Sequence, residues 1–163
     1  KVHGISPADA LTANSLAIVA LTLGCIFYGR LIDSLGSGPT FVLGSLLLAG
    51  ATYAFYHSLA AGMDQLVPLY MLAGFAVGIV GAVPYVMVNA FPPVVRFSGL
   101  SFSYNVAYAI FGGLTPMLVT LWMKNDVLAP SHYVVSLAGL GFVLGLWLWL
   151  RQRTQRQATP QTA

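Results

Sequence analysis

The stretch QLVPLYMLAGFAVGIVGAVPYVMVNAFPPVV, residues 65–95, contains no Asp, Glu, Lys or Arg. A helix needs about 20 mostly apolar residues to cross the hydrocarbon core of a bilayer, and this run exceeds that length. The pattern repeats on both sides. Ala10–Gly29 and Ser34–Met63 come before it, Phe97–Met123 and Val127–Leu150 after it, and none of them carries a charge. The chain therefore reads as all-α, a polytopic bundle of five transmembrane helices. Spans are expected at residues 9–28, 40–59, 66–91, 98–123 and 133–150, with a disordered cytoplasmic tail over 151–163. An odd number of spans leaves the two ends of the chain on opposite sides of the membrane.

Composition excludes several classes. Hydrophobic residues make up 58% and charged residues 7% of 163, with mean hydropathy +0.81. A soluble domain carries about 25% charged residues, so the expected surrounding partner is membrane lipid. The net charge of +3 is too thinly spread to form a basic patch for nucleic acid. Cys25 is the single cysteine and lies inside the first span, so no disulfide is expected. The chain opens Lys1-Val2-His3-Gly4, without the charged-then-apolar order of a leader, and reads as a continuation of something longer.

Basic residues near span ends orient a membrane protein. Arg30, Arg96, Arg151, Arg153 and Arg156 collect on one side, Lys1 and Lys124 on the other with Asp9, Asp64 and Asp126. The first side is expected in the cytoplasm, which puts the amino end outside.

Polar residues inside the spans are the candidates for function. Ser98, Ser101, Asn105, Tyr108, Gly112 and Thr115 follow a helical spacing that places them on one face of the fourth span. Such a stripe is costly against lipid, so it faces a solute path or hydrogen-bonds neighbouring helices. Gly112-Gly113 and Pro116 predict a kink or unwound turn there. In the third span Gly74, Gly78, Gly81, Tyr85 and Asn89 are expected to share a face, with Pro84 bending the helix beside Tyr85. The glycines read as close packing, Tyr85 as a cavity-lining residue or a packing one. Asn14 is the single amide of the first span and reads as an interhelical contact.

Gly29–Pro39 reads as a cytoplasmic turn bracketed by Arg30 and Asp33, which either latch an inner gate or sit in a solvated loop. No cofactor and no metal are expected: His57 and His132 lie near span ends, without a His/Cys/Asp cluster. No catalytic triad or carboxylate pair is present, which argues against an enzyme. No Asp, Glu, Lys or Arg stands at mid-membrane, so a proton-handling group would have to come from outside this chain.

Two segments carry a resemblance. Gly29-x-Leu31-x-Asp33-x-x-Gly36 resembles the loop between the second and third helices of each half in the major facilitator superfamily. Phe91-Pro92-Pro93-Val94-Val95-Arg96-Phe97-Ser98-Gly99-Leu100, then Tyr104-Asn105 and Phe111-Gly112-Gly113-Leu114-Thr115-Pro116, closely resembles the region around the eleventh helix of the metabolite:proton symporter family. That family includes proline/betaine, 2-oxoglutarate, citrate and shikimate carriers. The superfamily loop usually reads Asp-Arg-x-Gly-Arg-Arg, whereas Asp33 is followed here by Ser34, Leu35, Gly36, Ser37 and Gly38, so the usual basic latch is lost.

The resemblance implies helices eight to twelve of a proton-driven symporter in a bacterial inner membrane, with the amino-terminal helices of the carrier as partner. It implies alternating access for a small polar metabolite and a proton. Asn105, Tyr108, Tyr85, Tyr104 and Asn14 are the implied substrate residues, and Arg30, Asp33 and Arg96 the implied inner gate. The competing reading is a small membrane subunit that packs against a partner bundle and transports nothing.

Overall fold

A computed structural model describes residues 7–61 and 66–158. Residues 1–6, 62–65 (Asp64 among them) and 159–163 lie outside the described residues. Helices α1 (Pro7–Leu35) and α2 (Ser37–Ala60) are the first two spans. The third consists of α3 (Leu66–Val77), a 3-10 turn (Gly78–Ala82) and α4 (Val83–Ala90). The fourth consists of α5 (Arg96–Ala107), a π turn (Tyr108–Gly112) and α6 (Gly113–Trp122), and the fifth is α7 (Ala129–Ala158). Among the described residues there is no strand, and five helices are long and apolar enough to cross a membrane.

Small residues bring these helices together. Lipid tails are as apolar as Leu, so helices in a bilayer associate by steric fit rather than by escaping water. On α1, Ala13, Ala17, Ala20 and Gly24 recur at helical spacing and are buried. They meet the third span, where a Cβ on Gly74 of α3 would strike the backbone of Ala17 and one on Gly78, at the start of the 3-10 turn, would lie 2.6 Å from Gly24 Cα. Contacts advance in the same direction along both helices, so α1 and α3 run parallel. Helices α2 and α7 run antiparallel: Gly38 meets Trp149, Gly145 meets Phe41 and Val42, and Gly141 meets Ser45. This alternation is what successive membrane crossings require. Tyr28, Ile32, Phe41, Ile79 and Ala82 form the larger core cluster, joining α1, α2 and the 3-10 turn.

The connection between the first two spans differs from its expected form. Helix α1 continues through Gly29, Arg30 and Asp33 to Leu35, and the break is Gly36 alone, at φ +87°. No strong breaker precedes Gly36, so nothing stops the helix earlier. Arg30 and Asp33 therefore stand on the last turns of a helix and bracket no turn. Gly36 sits at φ +87°, ψ 170°, a region open essentially to glycine, which would cost a side chain about 1–3 kcal/mol, and its Cβ would stand 3.1 Å from Gln152 Oε1. Gly36→Ala is expected to lower stability by about that amount, read as an earlier unfolding transition in detergent.

Two prolines alter the winding of the long spans. Proline lacks an N–H and its ring crowds the carbonyl four residues back. For Pro84 that carbonyl belongs to Val80, inside the 3-10 turn; for Pro116 it belongs to Gly112, the last residue of the π turn. The irregularities expected in both spans are thus present, in opposite senses of winding. The third span loses its expected common face as a result. A 3-10 turn advances about 20° more per residue than an α-helix, roughly 100° over five residues. Gly74, Gly78 and Gly81 face α1, whereas Tyr85 and Asn89 line a groove beside α7.

The carboxyl-terminal end also departs from expectation. Helix α7 extends through residues 151–158, where a disordered tail was expected. The Arg151 guanidinium lies over the Trp147 ring at 5.0 Å and Arg153 over Trp149 at 4.8 Å, each one helical turn back. Gln152 Nε2 donates to Ser37 Oγ at 2.8 Å. The Gln152 bond ties this end of α7 to the start of α2.

Candidate functional site

The fourth span stands apart from the rest. None of its residues is buried, and its main contacts are with α4 and Phe91 before it and with α7 after it. Its polar stripe is therefore open. Asn105 donates Nδ2 to Ser101 O at 2.8 Å, one turn back, which leaves its Oδ1 without a hydrogen-bond partner among the described residues. The Tyr104 and Tyr108 rings stack at 4.8 Å with 28° between their planes, and Tyr108 is 62% exposed. Asn105 is flanked in sequence by this pair. One amide and two phenols thus form a contiguous patch of hydrogen-bonding groups on an aromatic base. Such a patch can bind a small polar solute through both its dipoles and its π faces.

From Tyr108 onward the stripe turns toward α7. Tyr108, Phe111, Gly112, Thr115, Tyr133 and Leu137 line a groove of about 550 Å³. Thr115 Oγ1 and Tyr133 Oη share a hydrogen bond of 2.6 Å across it, the side-chain bond joining α6 to α7. The lower part of the stripe is thus a solute-facing candidate, while Thr115 serves helix association. Tyr133 had no signal in the sequence, because its role depends on a partner on another helix.

The other expected binding residues are elsewhere. Tyr85 and Asn89 line a groove of about 650 Å³ with Ser37, Trp147, Arg151 and Gln152. Asn14 lies in a third groove, of about 250 Å³, with Thr52, Phe55, Tyr56, Tyr70 and Gly74. There Tyr70 Oη donates to Asn14 Oδ1 at 2.9 Å, and the Phe55 and Tyr70 rings stack at 4.9 Å. Asn14 is thus an interhelical contact, the role its isolation in an apolar span indicated. The five candidates occupy three separate places and do not converge on one cavity.

The gate candidates share one end of the bundle without touching as a set. Arg30 and Asp33 are exposed and make no ion pair with each other. Arg96 Nε donates to Phe91 O at 3.3 Å and so closes the connection between α4 and α5. At the opposite end, Asp126 orders the connection into α7. Its Oδ1 accepts from Leu128 N at 2.9 Å, and Oδ2 lies 3.0 Å from His132 Nδ1. No group of three His, Cys, Asp or Glu side chains able to hold a metal occurs among the described residues.

Sequence comparison finds relatives that are transporters. The chain is 27% identical over 140 residues to the proline/betaine transporter of Salmonella typhimurium, covering 80% of this chain and 28% of that protein. It is 29% identical over 143 residues to the glycine betaine/proline/ectoine/pipecolic acid transporter OusA of Dickeya dadantii, covering 82% and 28%. A Staphylococcus aureus protein also named for proline and betaine is 26% identical over 151 residues, covering 87% and 32%. The chain thus spans about three tenths of the length of the relatives it matches. No protein-family model matches it. No solved structure matches it either.

Proposed function

We propose that this chain forms part of a secondary active transporter of the metabolite:proton symporter family, its spans standing as helices eight to twelve of a major facilitator fold. The observation that carries this reading is the open polar face of the fourth span, in a chain whose relatives are transporters. A face bearing Ser101, Asn105 and Tyr108 is costly against lipid and inexpensive beside a water-filled path. The remaining helices of the carrier would supply the other wall of that path. The cargo is a small polar metabolite, an organic acid or a zwitterion; the names of the relatives favour a zwitterion such as proline or betaine.

Tyr104, Asn105 and Tyr108 are the residues we assign to the cargo. Tyr85 and Asn14 are second in rank, because they reach the path only if their helices shift during the cycle. Arg30, Asp33 and Arg96 share the inner end of the bundle and would meet the opposing half when the cytoplasmic gate closes. Transport proceeds by alternating access, with two bundles rocking about a central site. The proton is carried by an ionisable group of the remaining helices. The amino end faces outward and the arginine-rich end lies in the cytoplasm of a bacterial inner membrane.

The test is uptake of labelled proline and betaine by cells expressing the complete reading frame that contains these residues. Accumulation abolished by a protonophore is expected, and none from residues 1–163 alone. A reading frame that starts just before Lys1, together with a co-purifying membrane protein and no uptake, would instead establish a non-transporting subunit.

A further inference from the structure

We propose that the groove between α4 and α7 binds the phosphate of an anionic lipid headgroup. It does not rest on the transport reading, since it is argued from the walls and the cation of the groove alone. Its walls come from the end of α4, the start of α2 and the last membrane turns of α7, which place it at the arginine-rich end. Tyr85, Asn89, Ser37, Gln152 and Arg151 bring polar atoms to it. Leu144, two turns further into α7, continues the wall in apolar form. A polar mouth above an apolar wall matches an amphiphile better than a free ion.

The cation in this groove is already positioned. Arg151 is the one charged residue among those lining it, and its guanidinium is held over Trp147 at 5.0 Å. A planar guanidinium offers paired N–H donors that fit two phosphate oxygens. Further donors stand nearby. Asn89 spends one N–H on Tyr85 O at 2.8 Å and retains the other. The Tyr85 hydroxyl has no hydrogen-bond partner among the described residues, and Tyr85 is 46% exposed. Helix α2 starts at the groove without a side-chain cap, and the Ser37 hydroxyl accepts from Gln152. Its positive dipole end therefore adds to the attraction for an anion. Trp147 and Trp149 mark this level as the membrane interface, where Trp is enriched and where headgroups lie.

The test uses the complete protein that contains these residues, purified in detergent, exposed to phosphatidylglycerol or phosphatidylethanolamine and read by native mass spectrometry. Retention of phosphatidylglycerol over phosphatidylethanolamine is expected. Arg151→Gln should lower that retention about fivefold, the effect of one basic residue at a charged membrane surface. Arg153→Gln removes the same charge outside the groove and should leave retention unchanged. Asn89→Leu alters no charge and keeps the Trp147 contact; it should weaken retention with the protein still folded, so the proposal stands or falls even if Arg151→Gln fails to fold. Equal losses in Arg151→Gln and Arg153→Gln would reveal diffuse attraction and overturn the site. Displacement of the lipid by millimolar inorganic phosphate would reassign the groove to a free anion and overturn the lipid assignment.

Discussion

Gly78→Leu is expected to prevent stable association of the first and third spans. A Cβ at Gly78 would lie 2.5 Å from Gly24 C, 2.6 Å from Gly24 Cα and 2.7 Å from Cys25 N. These are backbone atoms, so no rotamer change relieves the contact. Overpacking a core costs about 1–3 kcal/mol where side chains can adjust; here the helices themselves must separate. The separation would also uncouple Gly74 from Ala17 and open the cluster around Tyr28 and Ile79. The readout is thermal unfolding and protease sensitivity of the purified protein in detergent. Gly139→Leu is the control, because a Cβ there meets nothing within 4 Å. Equal stability of the two variants would refute this account of how α1 and α3 associate.

The second large effect is expected at Asn105. In the carrier proposed above, Asn105→Ala should lower solute uptake by at least roughly tenfold, since a hydrogen bond to a charged group contributes about 1.5–3 kcal/mol. Asn105 is exposed and its hydrogen bond is to its own helix, so folding and membrane insertion should be unchanged. Tyr108→Phe should weaken uptake less, because the ring and its stack on Tyr104 remain. Ile110→Ala, in the same span and off the polar stripe, should leave uptake intact. Normal uptake by Asn105→Ala would remove this patch from the solute path and leave the stripe as a helix-packing surface.

The candidate site was legible only in part. The polar stripe of the fourth span could be found because Ser101, Asn105 and Tyr108 recur along one helix, and recurrence is local information. The separation of Tyr85 from that stripe could not. It follows from the 3-10 turn at Gly78–Ala82, which rotates the end of the third span away from the glycine face. The Tyr70 partner of Asn14 and the Tyr133 partner of Thr115 were equally hidden, since each bond joins residues on different helices. The turn expected at Gly29–Pro39 failed for another reason. Glycine lowers helix propensity without ending a helix, and here the chain stops only where Gly36 takes positive φ.

The sequence by itself determined that five helices are long and apolar enough to cross a membrane. Hydropathy summed over about 20 residues decides a span, and neighbouring helices scarcely affect that sum. It also carried the irregular winding before Pro84 and Pro116, because a missing N–H acts within one turn. Only the tertiary structure decided which faces meet. Between helices in lipid, the steric fit of Gly24 on Gly78 or Gly38 on Trp149 selects the partner, and hydropathy is the same for every choice. That fit leaves the fourth span unburied, with Asn105 and Tyr108 open to whatever passes or packs beside them.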